Sequence, residues 1–190
     1  MAKIDPATGA VVASVAVPHN DLPELVAGDA AGTWILTSRG QTSSGVTYSL
    51  HGVNPQGTKI VQSVPLGGIE PKGATPSRIF EGLAVDAGSV WLIDLGLSKG
   101  GGLVVDGYII RVSARSGRVT GVVSVGHTNT FAVSDGAVWT SNGNGRGIRI
   151  DAKTLKVTEL KAESNFEPFA VEEGGVWFMV RNTGSSHPAP

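Results

Sequence analysis

Short apolar runs separated by polar turn residues recur along the whole chain, and none carries the three-to-four-residue spacing of an amphipathic helix. The clearest stretch predicts four strands in succession, over about 130–133, 137–142, 147–151 and 156–162. The expected turns are Ser134-Asp135-Gly136, Gly143-Asn144-Gly145 and Ala152-Lys153-Thr154. Within the second of these strands, Ala137-Val138-Trp139 is apolar at consecutive positions, so both faces of its sheet should be covered.

The pattern is a repeat. Phe131-Ala132-Val133-Ser134-Asp135-Gly136-Ala137-Val138-Trp139 aligns without a gap with the segment from Phe169 to Trp177, and Leu83 to Trp91 matches both. A weaker copy, Leu25 to Trp34, takes one inserted residue and has Thr33 before its tryptophan. All four tryptophans thus fall at one repeat position, 57, 48 and 38 residues apart. Such residues are expected to be packing anchors between units, because an indole buries a large area. Between the copies lies a second recurring hairpin: Ile4-Asp5-Pro6-Ala7-Thr8-Gly9, Val53-Asn54-Pro55-Gln56-Gly57, Val112-Ser113-Ala114-Arg115-Ser116-Gly117 and Ile150-Asp151-Ala152-Lys153-Thr154. Its Asp, Asn or Ser can bond the backbone two residues on, Pro presets φ, and Gly accepts the left-handed region.

A unit of four antiparallel strands, covered on both faces and repeated about every 40 residues, predicts an all-β β-propeller. The chain divides into a half-blade at 2–17, blades at about 24–64, 82–125 and 130–162, and a half-blade at 168–181. Residues 1–182 are expected to form one domain and 183–190 a polar, Pro-containing tail. Two closures remain open: the terminal half-blades join into a fourth blade, or the chain is an arc of a larger ring.

Composition narrows the function more than it identifies it. With 15 Lys and Arg against 16 Asp and Glu, the net charge of −1 lacks the basic field that nucleic-acid binding needs. No apolar run approaches the ~20 residues of a membrane-spanning helix. Met1 to Pro6 does not resemble a signal peptide, which predicts a soluble chain and leaves its compartment open. The chain has no Cys, excluding disulfides and thiolate metal sites. The 27 glycines and the 16% share of charged residues suit many tight turns and blades with dry faces.

The pairing of a Phe-Ala-Val-x-x-Gly-x-Val-Trp segment with an Ile-Asp-Pro-x-Thr-Gly-x-Val hairpin resembles the bacterial YVTN/NHL-like propeller repeats, including streptogramin lyase-like proteins. The resemblance implies a propeller that serves most often as a binding or scaffold module. In the lyases it implies metal-dependent catalysis by His and Glu at one end of the ring, but no His-x-Glu spacing here can receive those roles.

In such a fold the loops between blades share one face with the loops between second and third strands. Candidate ligand-binding residues on that face are His19, Asp21, Arg39, Glu70, Arg78, His127, Asn129, Asn144, Arg146 and Asn165. His127, His19 and Glu163 are the candidates for catalysis. Two imidazoles with Asp21, Glu70 or Glu163 offer a divalent ion nitrogen and oxygen ligands, although their separations follow no known ligand spacing. The inserts Ile69 to Glu81 and Leu95 to Val105 are expected to be a lid and a mobile loop. Gly143-Asn144-Gly145-Arg146-Gly147 reads as a hairpin turn, since no helix follows it to hold a phosphate. The expected function is a non-enzymatic module binding a protein or small molecule on the loop face. The alternatives are a metal-dependent lyase or hydrolase and a structural segment of a longer protein.

Overall fold

The computed structural model describes residues 1–42, 45–67, 78–97, 104–128, 130–142, 146–160, 165–172 and 175–181. The described residues are all-β, with sixteen strands in chain order. The strands are β1 (Ala2–Ile4), β2 (Val11–Ser14), β3 (Asp21–Asp29), β4 (Gly32–Thr42), β5 (Gly45–Val53), β6 (Ile60–Pro65), β7 (Arg78–Asp86) and β8 (Ser89–Leu97). They continue as β9 (Val104–Ser113), β10 (Val119–Ser124), β11 (Phe131–Ser134), β12 (Ala137–Ser141), β13 (Gly147–Asp151), β14 (Val157–Glu159), β15 (Asn165–Glu172) and β16 (Gly175–Arg181). They form three four-stranded antiparallel meanders, β3–β6, β7–β10 and β11–β14, flanked by the two-stranded sheets β1–β2 and β15–β16. These are the expected blades and half-blades. β4 and β5 pair out to Thr42 and Gly45, and β8 and β9 pair out to Leu97 and Val104, so both ends of the insert expected as a mobile loop are strand.

The first strands β3, β7, β11 and β15 lie against one another in succession, which makes them the inner strands of the stack. Alternation then assigns the faces. Trp34, Leu36 and Leu50 of the first blade pack on Val90, Leu92, Ile110 and Val112 of the second. Trp91, Ile93 and Ile109 of the second pack on Val138, Ile148 and Ile150 of the third. Trp139 meets Phe178 edge-on, with centroids 6.3 Å apart. Trp34, Trp91 and Trp139 therefore each point into the next blade. Arg111 lies over Trp91 at 5.8 Å and Arg149 over Trp139 at 5.6 Å, from the third strand of each blade. Trp177 departs from the expected anchoring: it is 60% exposed, because no described strand follows β16 to receive it.

The recurring hairpin folds as its chemistry dictates. Asp5 Oδ1 accepts from the Ala7 amide at 2.8 Å, Asn54 Oδ1 from the Thr58 amide at 2.9 Å, and Asp151 Oδ1 from the Thr154 amide at 2.8 Å. Gly9, Gly57 and Gly117 take φ of 70°, 74° and 65° at the end of the turn, and Leu155 takes 61° in the fourth copy. A non-glycine residue there is uncommon. Among the described residues β1–β2 and β15–β16 form separate sheets and do not pair into one blade.

Candidate functional site

Where β3 begins and β4 runs out, the first blade buries a polar network. The chain enters through a tight turn in which the Asp21 amide donates to the Pro18 carbonyl at 3.1 Å and Asn20 adopts φ 70°. This places Asp21 opposite Arg39 in the ladder. Arg39 Nε donates to Asp21 Oδ1 at 2.6 Å; the carboxylate side chain is 4% exposed, whereas that of Arg39 is 58% exposed. Below them, His51 stands on β5 with Ser63 opposite it on β6. His51 Nε2 lies 3.1 Å from Thr37 Oγ1 and 3.5 Å from Asp21 Oδ2, and Nδ1 lies 2.8 Å from Ser63 Oγ. On the blade's other face, the Ser38 hydroxyl donates to Glu24.

The electrostatics follow from these contacts. Burial opposes the charge on Asp21, but the hydrogen bond and charge of Arg39, with help from His51 and Thr37, hold its carboxyl below the ordinary value. Burial lowers the basicity of His51, and the Arg39 charge adds to it; Asp21 offsets them only partly. The result is a neutral imidazole under a fixed ion pair whose cationic end faces solvent.

The structure treats the sequence candidates unequally. Asp21 and Arg39 come together, but Asp21 is buried as a holder of Arg39 and is not an exposed loop ligand, and Arg39 lies in a strand. His19 is exposed in the turn before β3, and His127 is exposed in the bend after β10. The bend is anchored beside His127 by buried Thr128, whose hydroxyl lies 2.7 Å from that of Thr140. Arg146 Nη1 donates to Glu159 Oε2 at 3.1 Å, both side chains exposed. Arg78 begins β7, and Asn165 begins β15 opposite Arg181. Glu70, Asn129, Asn144 and Glu163 lie outside the described residues, as do 68–77, 98–103 and 182–190; the end of the expected lid, residues 78–81, is not loop but the start of β7. Among the described residues no group of three His, Asp or Glu side chains is placed to hold a metal ion, and Asp21 is turned to Arg39 and His51. No described helix is long and apolar enough to cross a membrane.

Sequence reasoning missed His51, Thr37 and Ser63. The repeat carries the signal: His51 pairs with Ile35 where Ile110 pairs with Leu92 and Ile148 with Thr140. A histidine therefore replaces an isoleucine of the other blades.

No protein-family profile matches the chain, and no curated protein does. Similar solved structures include BamB from Moraxella catarrhalis, at TM-score 0.35 and 13% identity over 87% of this chain and 57% of that one. Apo AztD from Citrobacter koseri is similar at TM-score 0.30 and 14% identity, over 73% of this chain and 47% of that one. A second structure of AztD gives TM-score 0.29 and 13% identity, over 72% and 45%. The chain thus spans about half the length of these proteins.

Proposed function

We propose that the chain is a non-enzymatic binding module, a propeller of YVTN/NHL-like repeats that holds a carboxylate- or phosphate-bearing small molecule or protein segment on its loop face. The observation that carries this reading is the Arg39–Asp21 pair. A solvent-facing guanidinium fixed through Nε by a buried carboxylate is preoriented for an anion, so less side-chain entropy is lost on binding. His19, His127 and Arg146 are exposed and supply further polar groups on the proposed face. Calorimetry with inorganic phosphate, citrate and an acidic peptide tests the reading. At least one should bind wild-type protein and lose affinity about tenfold or more in Arg39→Ala, with little recovery in Arg39→Lys, which cannot reproduce the fork. Failure of all three probes to bind, or binding indifferent to Arg39→Ala, would sink it.

A second reading, a hydrolase acting through Ser63, rests on the alignment of Ser63, His51 and Asp21. Ser63 is exposed, Nδ1 of His51 is placed to take its proton, and Asp21 faces Nε2, which matches the three roles of a nucleophile, base and orienting group. Thr37 lies nearer to Nε2 than Asp21 does, which favours a structural network. A fluorophosphonate probe separates the two readings: labelling at Ser63 that is lost in His51→Gln supports the hydrolase, and absence of labelling removes it.

A further inference from the structure

Each end of the stack carries half of a blade, and the halves are complementary. The sheet β15–β16 matches the first two strands of the repeat, with Trp177 where Trp34, Trp91 and Trp139 stand. The sheet β1–β2 matches the last two, since Ile4-Asp5 corresponds to Ile150-Asp151 and begins the same turn. Among the described residues, β16 has no third strand beside it and β1 no second strand. Within the chain, the N-terminal hairpin is seated on the first blade, where Gly57 lies against Ala13 and Lys3.

The missing contact has left a hole of the right kind. Trp34 shares one buried cluster with Val90, Leu92 and Val112 of the second blade, and Leu83 packs against that cluster. The repeat places Val26, Thr33, Ile35 and Val53 at those positions of the first blade. All four line a cavity of about 230 Å³ beneath the N-terminal hairpin, together with Lys3 and Val15. An apolar socket for a tryptophan is thus empty at one end, and a tryptophan of the same repeat position is 60% exposed at the other.

The strand register adds an independent match. Trp139 pairs with Arg149 and Trp91 with Arg111, in each case one residue before the position equivalent to Ile4. The residue that would face Trp177 is therefore Lys3, a cation over the ring as Arg149 and Arg111 are, and it already lines the cavity.

We propose that β1–β2 of a second copy of this chain docks on the edge of β16, pairing Lys3 with Trp177 and Ile4 with Val176, so that Trp177 fills the socket on the second copy's first blade. Two copies joined at both ends complete two shared blades and close with two-fold symmetry. The joint also removes both free sheet edges.

Light scattering of the full chain should give twice the 19.5 kDa chain mass. Trp177→Glu should return it to one chain mass with its circular dichroism unchanged. A protein of one chain mass at all concentrations, or a dimer that survives Trp177→Glu, would overturn the proposal. Since the chain has no native Cys, single variants Ile4→Cys and Val176→Cys can be mixed under mild oxidation. The mixture should give a disulfide-linked two-chain product that neither gives alone. If only the double variant cross-links, and within a single chain, the half-blades close on themselves and the proposal fails.

Discussion

Arg39 Nε donates to Asp21 Oδ1 at 2.6 Å across the β3–β4 ladder, and the two residues differ sharply in surroundings. The acid is interior and the base is at the rim. The pair therefore both satisfies a buried charge and presents a positive one. Asp21→Asn should remove the negative end, leaving Arg39 tethered by a weaker neutral acceptor and His51 without its carboxylate. Because Arg39 is largely exposed, the cost is that of a screened pair plus a buried hydrogen bond, roughly 1–2 kcal/mol. Urea denaturation at neutral pH should show a lower midpoint at unchanged slope.

The same network gives stability a pH dependence with a definite sign. His51 is less basic when folded than its ordinary 6.5, so the unfolded chain binds its proton first as pH falls. Its contribution is complete above about 6.5 and is lost as pH drops through the folded value. Asp21, depressed below 3.8, adds a second loss at still lower pH, as the solution passes from that value down through the folded one. The melting temperature of wild-type protein should therefore fall as pH goes from 7 to 5. His51→Gln should flatten that limb. An equally steep limb in the variant would assign the loss elsewhere.

Trp91 and Trp177 share a repeat position and should differ greatly in worth. Trp91 is 1% exposed, packed on the third blade and covered by Arg111. Its replacement by Ala opens a large hole that the neighbouring blades cannot fill, at a cost of about 3–5 kcal/mol. Trp139→Ala should also lower stability, since that ring meets Phe178 and Arg149. Trp177→Ala should match the single-chain variant Trp177→Glu in unfolding free energy within ~0.5 kcal/mol, because a ring exposed on the isolated chain contributes little to its fold. Thermal melts of the three variants check the order.

This contrast marks the limit of what was legible in the sequence. Repetition revealed the blades because the same physical demands recur: β-branched strands covered on both faces, an indole between units, and an Asp or Asn that folds its hairpin. It identified Trp177 as a repeat residue but not as exposed, since exposure depends on the neighbour that the ring meets and not on its own segment. Likewise, Asp21 and Arg39 were found as polar residues near turns, whereas their union required the register of β3 on β4. His51 was hidden among apolar residues of a strand, where a histidine stands out only against Ile110 and Ile148 of the sister blades.

Leu155 and Gly121 offer a final test, because each explains the other's departure from rule. Leu155 sits at φ 61° where the three sister hairpins have Gly9, Gly57 and Gly117. Its side chain packs against the core between the second and third blades, over a glycine whose added Cβ would stand 2.1 Å from Leu155 Cδ1. The left-handed backbone costs about 1–2 kcal/mol, and burial of the leucine offsets it. Gly121→Ala should accordingly destabilise by about 1–3 kcal/mol, the usual range for overpacking. Leu155→Gly should change stability little on its own, since it exchanges packing for a relaxed turn. In that background Gly121→Ala should become nearly neutral, because the methyl group then enters vacated space. A double-mutant cycle by urea denaturation measures the coupling. Simple additivity would show that the glycine is needed for some reason other than the leucine above it.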